Sequence, residues 1–546
     1  MSASATVVVG TVVVEGDHTP AEVITGASPA LVTHSVLAGV NDAGTYSNVG
    51  TMPEGLRVVV SSPTSAFGEL LTADLHPQFQ ASFTYGVNAE QWLTQVTSGG
   101  SVTAASGNVT VAIDATNGAV ARLQSRRSLH YRMGQGATCL FTLLASAGAA
   151  NSYMIAGPIS AESGFAFGRN GTAWGTLHRT GGARNIRTLT VTVGAGGAET
   201  ATVTLEGVTK TVTLASGSAT LAAYAIASAD YSTTGSGWDA GQVGNTVVFL
   251  CRRAVVTSGA FTLTSTGTAA GTIANTRAGA APTDTWTAQA AWDDPMLLGQ
   301  GTTGVVLDPT KGNVYRTNYQ YLGYGPCYWG VEYLPASGRA ATYATVKTLP
   351  YLNANTVPSL TNPCAPYTIE VGSTGSTTPI SLSAASVMFG THGIVNAAVP
   401  CLALSGSSTN VQTTEIPLIS IRNGLAFGGV TNRTAKQLMQ VHVSARPATN
   451  SILTVRARRG AALTGTPNFQ LAQSGVSAAF VDTAATGVSG GTIVWSTTVV
   501  ADGTQIDDLH EIPSMSLEPG ETITFSVIGT AGTSVVAIVV DSKEFQ

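Results

Sequence analysis

Ala201-Thr-Val-Thr-Leu205-Glu206-Gly-Val-Thr209-Lys210-Thr-Val-Thr-Leu214 alternates apolar and polar side chains in two runs, with Glu206 to Thr209 between them. A period of two places alternate residues on opposite faces of an extended chain. Two such runs flanking a break that contains glycine predict a β-hairpin, Ala201–Leu205 with Lys210–Leu214. The same grammar recurs along the chain. Leu56-Arg-Val-Val-Val60, Val109-Thr-Val-Ala-Ile113, Leu189-Thr-Val-Thr-Val193 and Ile523-Thr-Phe-Ser-Val-Ile528 are further instances. Short strands with Gly, Asn, Asp and Pro punctuation every ~8–12 residues point to sandwiches or barrels. Helical periodicity is almost absent. Its one candidate is the Ala-rich run Ala219–Ala229, with Ser218 placed to cap its N-terminus. The expected fold class is mainly β: a multi-domain β-sandwich and jelly-roll protein with a small inserted α+β unit.

Four regions follow from composition. Residues 1–65 carry strands and turns but no large aromatic before Tyr46, and are expected to form an N-terminal β arm or anchoring unit. Two aromatic-rich stretches, 66–187 and 286–400, each hold enough large side chains to fill a sandwich core. The aromatic-poor segment 188–285 between them reads as strand, hairpin, helix and hairpin, bounded by Gly181-Gly182 and by Ala278–Thr285. It is expected to be an α+β domain inserted into one sandwich made from 66–187 and 286–400, because closing a longer surface loop costs little extra entropy. Three consecutive domains are the alternative. Residues 401–546 end on Val535-Val-Ala-Ile-Val-Val540 and suit a C-terminal jelly-roll-like sandwich.

Charge is scarce. Only 55 of 546 residues are Lys, Arg, Asp or Glu, or 10%, against about 25% in ordinary soluble domains. A compact monomer of 55.4 kDa exposes roughly 18,000 Å², which leaves about one charge per ~330 Å². Such a surface suits burial between subunits. The net charge of −5 offers no electrostatic case for nucleic acid. No stretch reaches the ~20 apolar residues of a membrane-spanning helix, and the N-terminal Val runs, broken by Gly10, Glu15 and Asp17, read as strand rather than signal peptide. The five cysteines are scattered and read as buried thiols. Asn108-Val-Thr, Asn170-Gly-Thr and Asn432-Arg-Thr match glycosylation sequons and are read as chance.

Four phrases carry a family resemblance. Ser65-Ala-Phe-Gly-Glu-Leu-Leu-Thr-Ala-Asp74, Pro77-Gln-Phe-Gln-Ala-Ser-Phe-Thr-Tyr-Gly-Val-Asn88, Arg126-Arg-Ser-Leu-His-Tyr-Arg-Met-Gly-Gln-Gly136 and Leu307-Asp-Pro-Thr-Lys-Gly-Asn-Val-Tyr315 resemble structural proteins of tailed bacteriophages and other large DNA viruses. The resemblance covers roughly residues 60–340. It implies a virion component of tail, fibre or appendage type, and it transfers no catalytic residue.

The search for chemistry yields two clusters. Arg122, Arg126, Arg127, His130 and Arg132 form the densest basic group and are expected to serve subunit contacts or to bind an anion; Arg456, Arg458 and Arg459 form a smaller one. Tyr315, Tyr319, Tyr321, Tyr324, Tyr328 and Trp329 form an aromatic group that either stacks on glycans or packs a core. The acidic pairs Asp293-Asp294 and Asp507-Asp508 are poor candidates for paired carboxylate catalysis, since neighbours on a strand face opposite ways. No Walker A or HExxH pattern occurs, and the eight histidines are never at metal-ligand spacing. Together with what the resemblance implies, the expectation is a non-enzymatic virion structural protein without catalytic, metal or cofactor residues. It would assemble as a homo-oligomer, taken as a homotrimer, contact other virion proteins, and attach to a host surface glycan or receptor. The alternatives are a capsid shell or decoration protein, and an appendage enzyme that degrades polysaccharide.

Overall fold

The computed structural model describes residues 74–545 apart from 98, 336–340, 394–400, 449–450, 501 and 511, together with four short strands between 38 and 56. The chain divides into two units, Met1–Thr72 and Ala73–Gln546. In the first, Ala38–Val40 pairs with Tyr46–Asn48 and Thr51–Met52 with Gly55–Leu56. Most of the expected 1–65 arm lies outside the described residues. The second unit is mainly β and contains one α-helix among its described residues.

A large sandwich forms its body. One sheet has seven strands in the order Thr283–Ala288, Ala173–Thr180, Gly164–Asn170, Ser152–Pro158, Ala365–Ser373, Val120–Leu129 and Trp92–Val96. The facing sheet centres on Ala137–Ala145, which pairs with Asn313–Tyr319 on one side and with Ile380–Ala384 and Ser386–His392 on the other. Both sheets thus draw strands from before and after the 188–285 segment. Period-two alternation explains the packing: Ala121 and Leu123 point into the aromatic core, whereas Arg122 and Gln124 face outward. Phe141, Phe167, Tyr315 and Tyr367 meet in that core with ring centroids 4.8–6.3 Å apart, the spacing at which tilted and edge contacts are favourable.

The intervening segment leaves the body after Thr180. Ala183 and Ala280 close its stem with two reciprocal backbone hydrogen bonds of 3.0 and 2.8 Å. Its strands form a four-stranded sheet and a three-stranded sheet around a shared core that includes Trp238, Phe249 and Ile226. The hairpin of the opening sequence is Glu199–Leu205 with Val208–Leu214. Its turn is tighter than expected, only Glu206 and Gly207, both with positive φ (54° and 80°), the geometry of the hairpin turns that match strand twist. Glu206 is anchored by Trp238 Nε1, which donates to its carboxylate at 2.9 Å. The helix is Ala219–Ala227; Ser218 caps it, accepting from Leu221 N at 3.2 Å, and the helix ends two residues before the expected Ala229 because Ser228 takes the C-cap.

Residues 401–545 make a second sandwich. Its eight principal strands are Cys401–Val411, Ile416–Asn423, Ala435–Arg446, Leu453–Arg459, Thr492–Val499, Gly503–Asp508, Thr522–Gly529 and Ser534–Phe545. Counted in chain order, one sheet runs 1-8-3-6 and the other 2-7-4-5, which is the jelly-roll arrangement. The last strand lies in mid-sheet, so Val536, Ile538 and Val540 are fully buried. Cys139, Cys251 and Cys327 are buried as expected, but Cys364 is half-buried and Cys401 exposed. Asn432 is buried and donates to Asn423 Oδ1 and Gly424 O, so that sequon is a structural amide.

Candidate anion-binding cleft

The outward face of the seven-stranded sheet is where the body, the intervening segment and the jelly roll meet. Arg122, on strand Val120–Leu129, stands directly opposite Glu370 on one neighbouring strand and Gln95 on the other. Cross-strand register therefore creates the contacts: Arg122 Nε donates to Glu370 Oε2 at 2.5 Å and Nη1 to Gln95 Oε1 at 3.3 Å. Tyr153 Oη adds a hydrogen bond to Glu370 Oε1 at 2.6 Å. Burial alone raises a carboxyl pKa, but the Arg122 guanidinium outweighs it and Glu370 is held down at about 2.

Glu162, in the turn before strand Gly164–Asn170, joins all three regions. From the jelly roll, Arg433 Nη2 donates to Glu162 Oε2 at 2.5 Å and Thr431 Oγ1 to Oε1 at 3.1 Å. From the intervening segment, Arg277 Nη1 donates to Oε1 at 3.2 Å and Arg184 N at 3.1 Å. Burial opposes ionisation of Glu162, yet Arg433 and Arg184 prevail and hold its pKa below the ordinary value. Nearby, Asp239 accepts from Arg252 at 2.8 Å and from Arg184 Nη2 at 3.4 Å. His130 Nε2 lies 3.3 Å from Glu518 Oε1. Burial would lower the pKa of this imidazole, but Glu518 and the Cys364 side chain outweigh it and raise it to about 10, so it is charged at neutral pH.

These groups frame a cleft of about 320 Å³ lined by five arginines, Arg122, Arg126, Arg184, Arg252 and Arg433, against three carboxylates, Asp239, Glu518 and Glu521. Arg122 and Arg433 are balanced by Glu370 and Glu162, whereas Arg184 and Arg252 share the single carboxylate of Asp239, so the positive charge there is incompletely compensated. Burial pushes the Arg184 guanidinium below its ordinary pKa, and the nearby Arg433 adds to the push against the attraction of Asp239 and Glu162. Arg127 is shifted the same way by burial, with Glu518 and Glu521 attracting it and Arg459 repelling it. The arrangement can hold an anionic group with charge-assisted hydrogen bonds.

Of the basic cluster read from sequence, Arg122 and Arg126 line this cleft, Arg127 and His130 stand beside it near Glu518, and Arg132 does not line it. Arg184, Arg252 and Arg433 were not singled out, because they are distant in sequence and only the fold assembles them. A usable signal existed in Leu517-Glu-Pro-Gly-Glu521, a turn with two carboxylates in a chain that has few; both line the cleft. Arg456 and Arg458 pair with Glu415 instead, and Arg459 pairs with Glu521.

The aromatic group needs correction as a stacking patch. Tyr315, Tyr319 and Trp329 face inward on strands Asn313–Tyr319 and Cys327–Tyr333 and are buried in the core, so no ring face is offered to a sugar. Tyr321 is half-buried edge-on to Tyr131, and Tyr328 is half-buried; Tyr324 alone of the six is exposed. Asp294 is buried and organises its own loop by accepting from Met296 N, Thr302 Oγ1 and Thr303 N, while Asp293 pairs with Lys347. Asp508 accepts from Gln440 and Asp507 from Gln505. Among the described residues no group of three or more His, Cys, Asp or Glu side chains is placed to hold a metal ion, and no helix is long and apolar enough to cross a membrane.

No family model and no curated protein matches the chain. Among solved structures, the metal-free carbohydrate recognition domain of Emp46p aligns at 8% identity over 56% of this chain and 89% of that one, with a TM-score of 0.18. That similarity is too low to carry an argument about fold or function.

Proposed function

We propose that the chain is a non-enzymatic structural component of a virus particle, an oligomeric tail- or fibre-type appendage protein that contributes to assembly and host attachment. The observation that supports this reading is how the molecule distributes its few charges. Several are turned inward, onto the junction at Glu162, where Arg277 and Arg433 tie three β-regions into one body. The end of the body sandwich carries large apolar side chains instead. Loops 320–326 and 349–360, joined by a hydrogen bond from Ser359 N to Gly323 O, expose Leu322, Tyr324, Tyr351, Leu352 (79%) and Val357 (68%). A surface weak in charge and locally apolar is suited to contact with further copies of the same chain. The resemblance of residues 60–340 to virion structural proteins points the same way.

The test is the mass of the purified chain by light scattering behind a sizing column. A stable trimer at three times 55.4 kDa is the expected result. A monodisperse monomer at high concentration overturns the oligomeric appendage reading, and a ring of five or six replaces it with a shell, collar or decoration role.

A further inference from the structure

The cleft at the three-way junction is larger than a single small anion requires. Its volume of about 320 Å³ falls at the lower end of the range for small-molecule sites, ~300–1,000 Å³. Three chemistries line it. The five guanidiniums supply anion recognition. Gln95, Gln124 and Ser128 supply neutral amide and hydroxyl groups able to exchange hydrogen bonds with hydroxyls. Leu93, Leu250, Pro366, Leu425 and Pro519 supply apolar surface on which the C–H face of a ring can rest. Glu518 contributes a buried carboxylate whose Oε2 has no hydrogen-bonding partner, although its Oε1 faces His130; a buried acceptor of this kind is stabilised by gaining a donor.

We propose that this cleft binds an acidic saccharide, a polyhydroxylated ring bearing a carboxylate or sulfate group, with its anion held between Arg126, Arg252 and Arg184 and its hydroxyls against the amide-lined wall. Arg126 is the exposed member, tethered through Nε to Ala89 O at 2.6 Å. It is therefore the residue that meets an incoming anion first. Arg122 and Arg433 each hold a carboxylate of their own, Glu370 and Glu162, and shape the floor, whereas Arg184 and Arg252 divide the one carboxylate of Asp239 between them. The assignment names a ligand class for the attachment role and rests on the cleft alone. Solution mass tests the particle reading separately, so either can fail without the other.

Titration calorimetry on the full chain tests it, with an unsulfated glucuronate disaccharide, a heparin disaccharide, the neutral disaccharide maltose and inorganic sulfate as probes. At least one acidic disaccharide is expected to bind, maltose is not, and sulfate is expected to compete. Affinity should fall as salt is raised, because part of the contact is exposed charge. Arg126→Glu should weaken acidic-disaccharide binding at least tenfold with an unchanged melting temperature, whereas Arg446→Ala, at an exposed arginine outside the cleft, should leave it unchanged. Should Arg126→Glu lower the melting temperature, Arg126→Gln replaces it with the same expected direction. Equal binding of maltose, acidic binding that survives both Arg126 variants, sulfate binding without either acidic disaccharide, or no binding by any probe each overturns the proposal.

Discussion

The two faces of the seven-stranded sheet are built by the same alternation, yet along the strands Val120–Leu129 and Ala365–Ser373 they are held by opposite means. Inward, Ala121, Leu123, Phe167, Ile369 and Val371 pack into an aromatic core. Outward, Arg122, Glu370 and the neighbouring Glu162 are tied by charge-assisted bonds to residues up to 271 positions away. An apolar face is tolerant of shape-preserving change, since dispersion and burial are summed over many weak contacts. An ionic face is not. Removing one partner leaves another charge buried without compensation.

Single substitutions on each face should separate the two kinds of cohesion. The largest effect is expected at Glu162→Gln, nearly isosteric, which strands Arg433 and Arg277; denaturant unfolding should show a loss of about 3–5 kcal/mol, with new proteolytic cleavage near 183 and 280. Phe167→Ala should cost a similar ~3–5 kcal/mol through cavity formation. Leu123→Met, which keeps volume, should cost less than about 1.5 kcal/mol. If Glu162→Gln costs no more than Leu123→Met, the contrast between the faces is wrong.

Titration sharpens it. Glu370 is depressed to about 2 from an ordinary 4.5, so its contribution is complete above the unfolded value and is lost as pH falls from about 4.5 toward 2. His130 is raised from 6.5 to about 10, so its contribution is complete below about 6.5 and is lost as pH rises toward 10. Denaturation midpoints should therefore decline at both ends, with Glu370→Gln flattening the acid limb and His130→Gln the alkaline limb. Unchanged limbs in those variants would remove these residues from the account. The smallest effect is expected away from both faces: Ser218→Ala should lower stability by about 1 kcal/mol through the lost helix cap, measured by the same unfolding curves.

Legibility followed the range of the interaction. Period-two runs and turn residues are local, so strands such as Asn108–Ile113 and the capped helix at Ala219 could be read from neighbouring letters. The mainly β class and its sandwich character followed from them. The hairpin turn at Glu206-Gly207 is shorter than expected because the flanking Val208 and Thr209 continue the ladder. The cleft was half visible: Arg122 and Arg126 stand close together in sequence, whereas Arg433 meets Glu162 only after the jelly roll has docked. The Tyr315–Trp329 group misleads for a related reason. Aromatic density signals a core and a binding surface alike, and only strand facing decides between them.

The stem at Ala183 and Ala280 has a consequence for how such a molecule can vary. Nearly a hundred residues enter and leave the sandwich through one rung of hydrogen bonds, so the sheet registers only two closely spaced ends. Any module whose termini lie equally close could be grafted at this socket without disturbing strand order. What would not transplant is the grip on Glu162, since Arg184 and Arg277 travel with the module, nor the bonds that Gln242 and Gly244 make to the jelly roll at Pro467 and Phe469. A successful exchange must bring its own cations to that carboxylate.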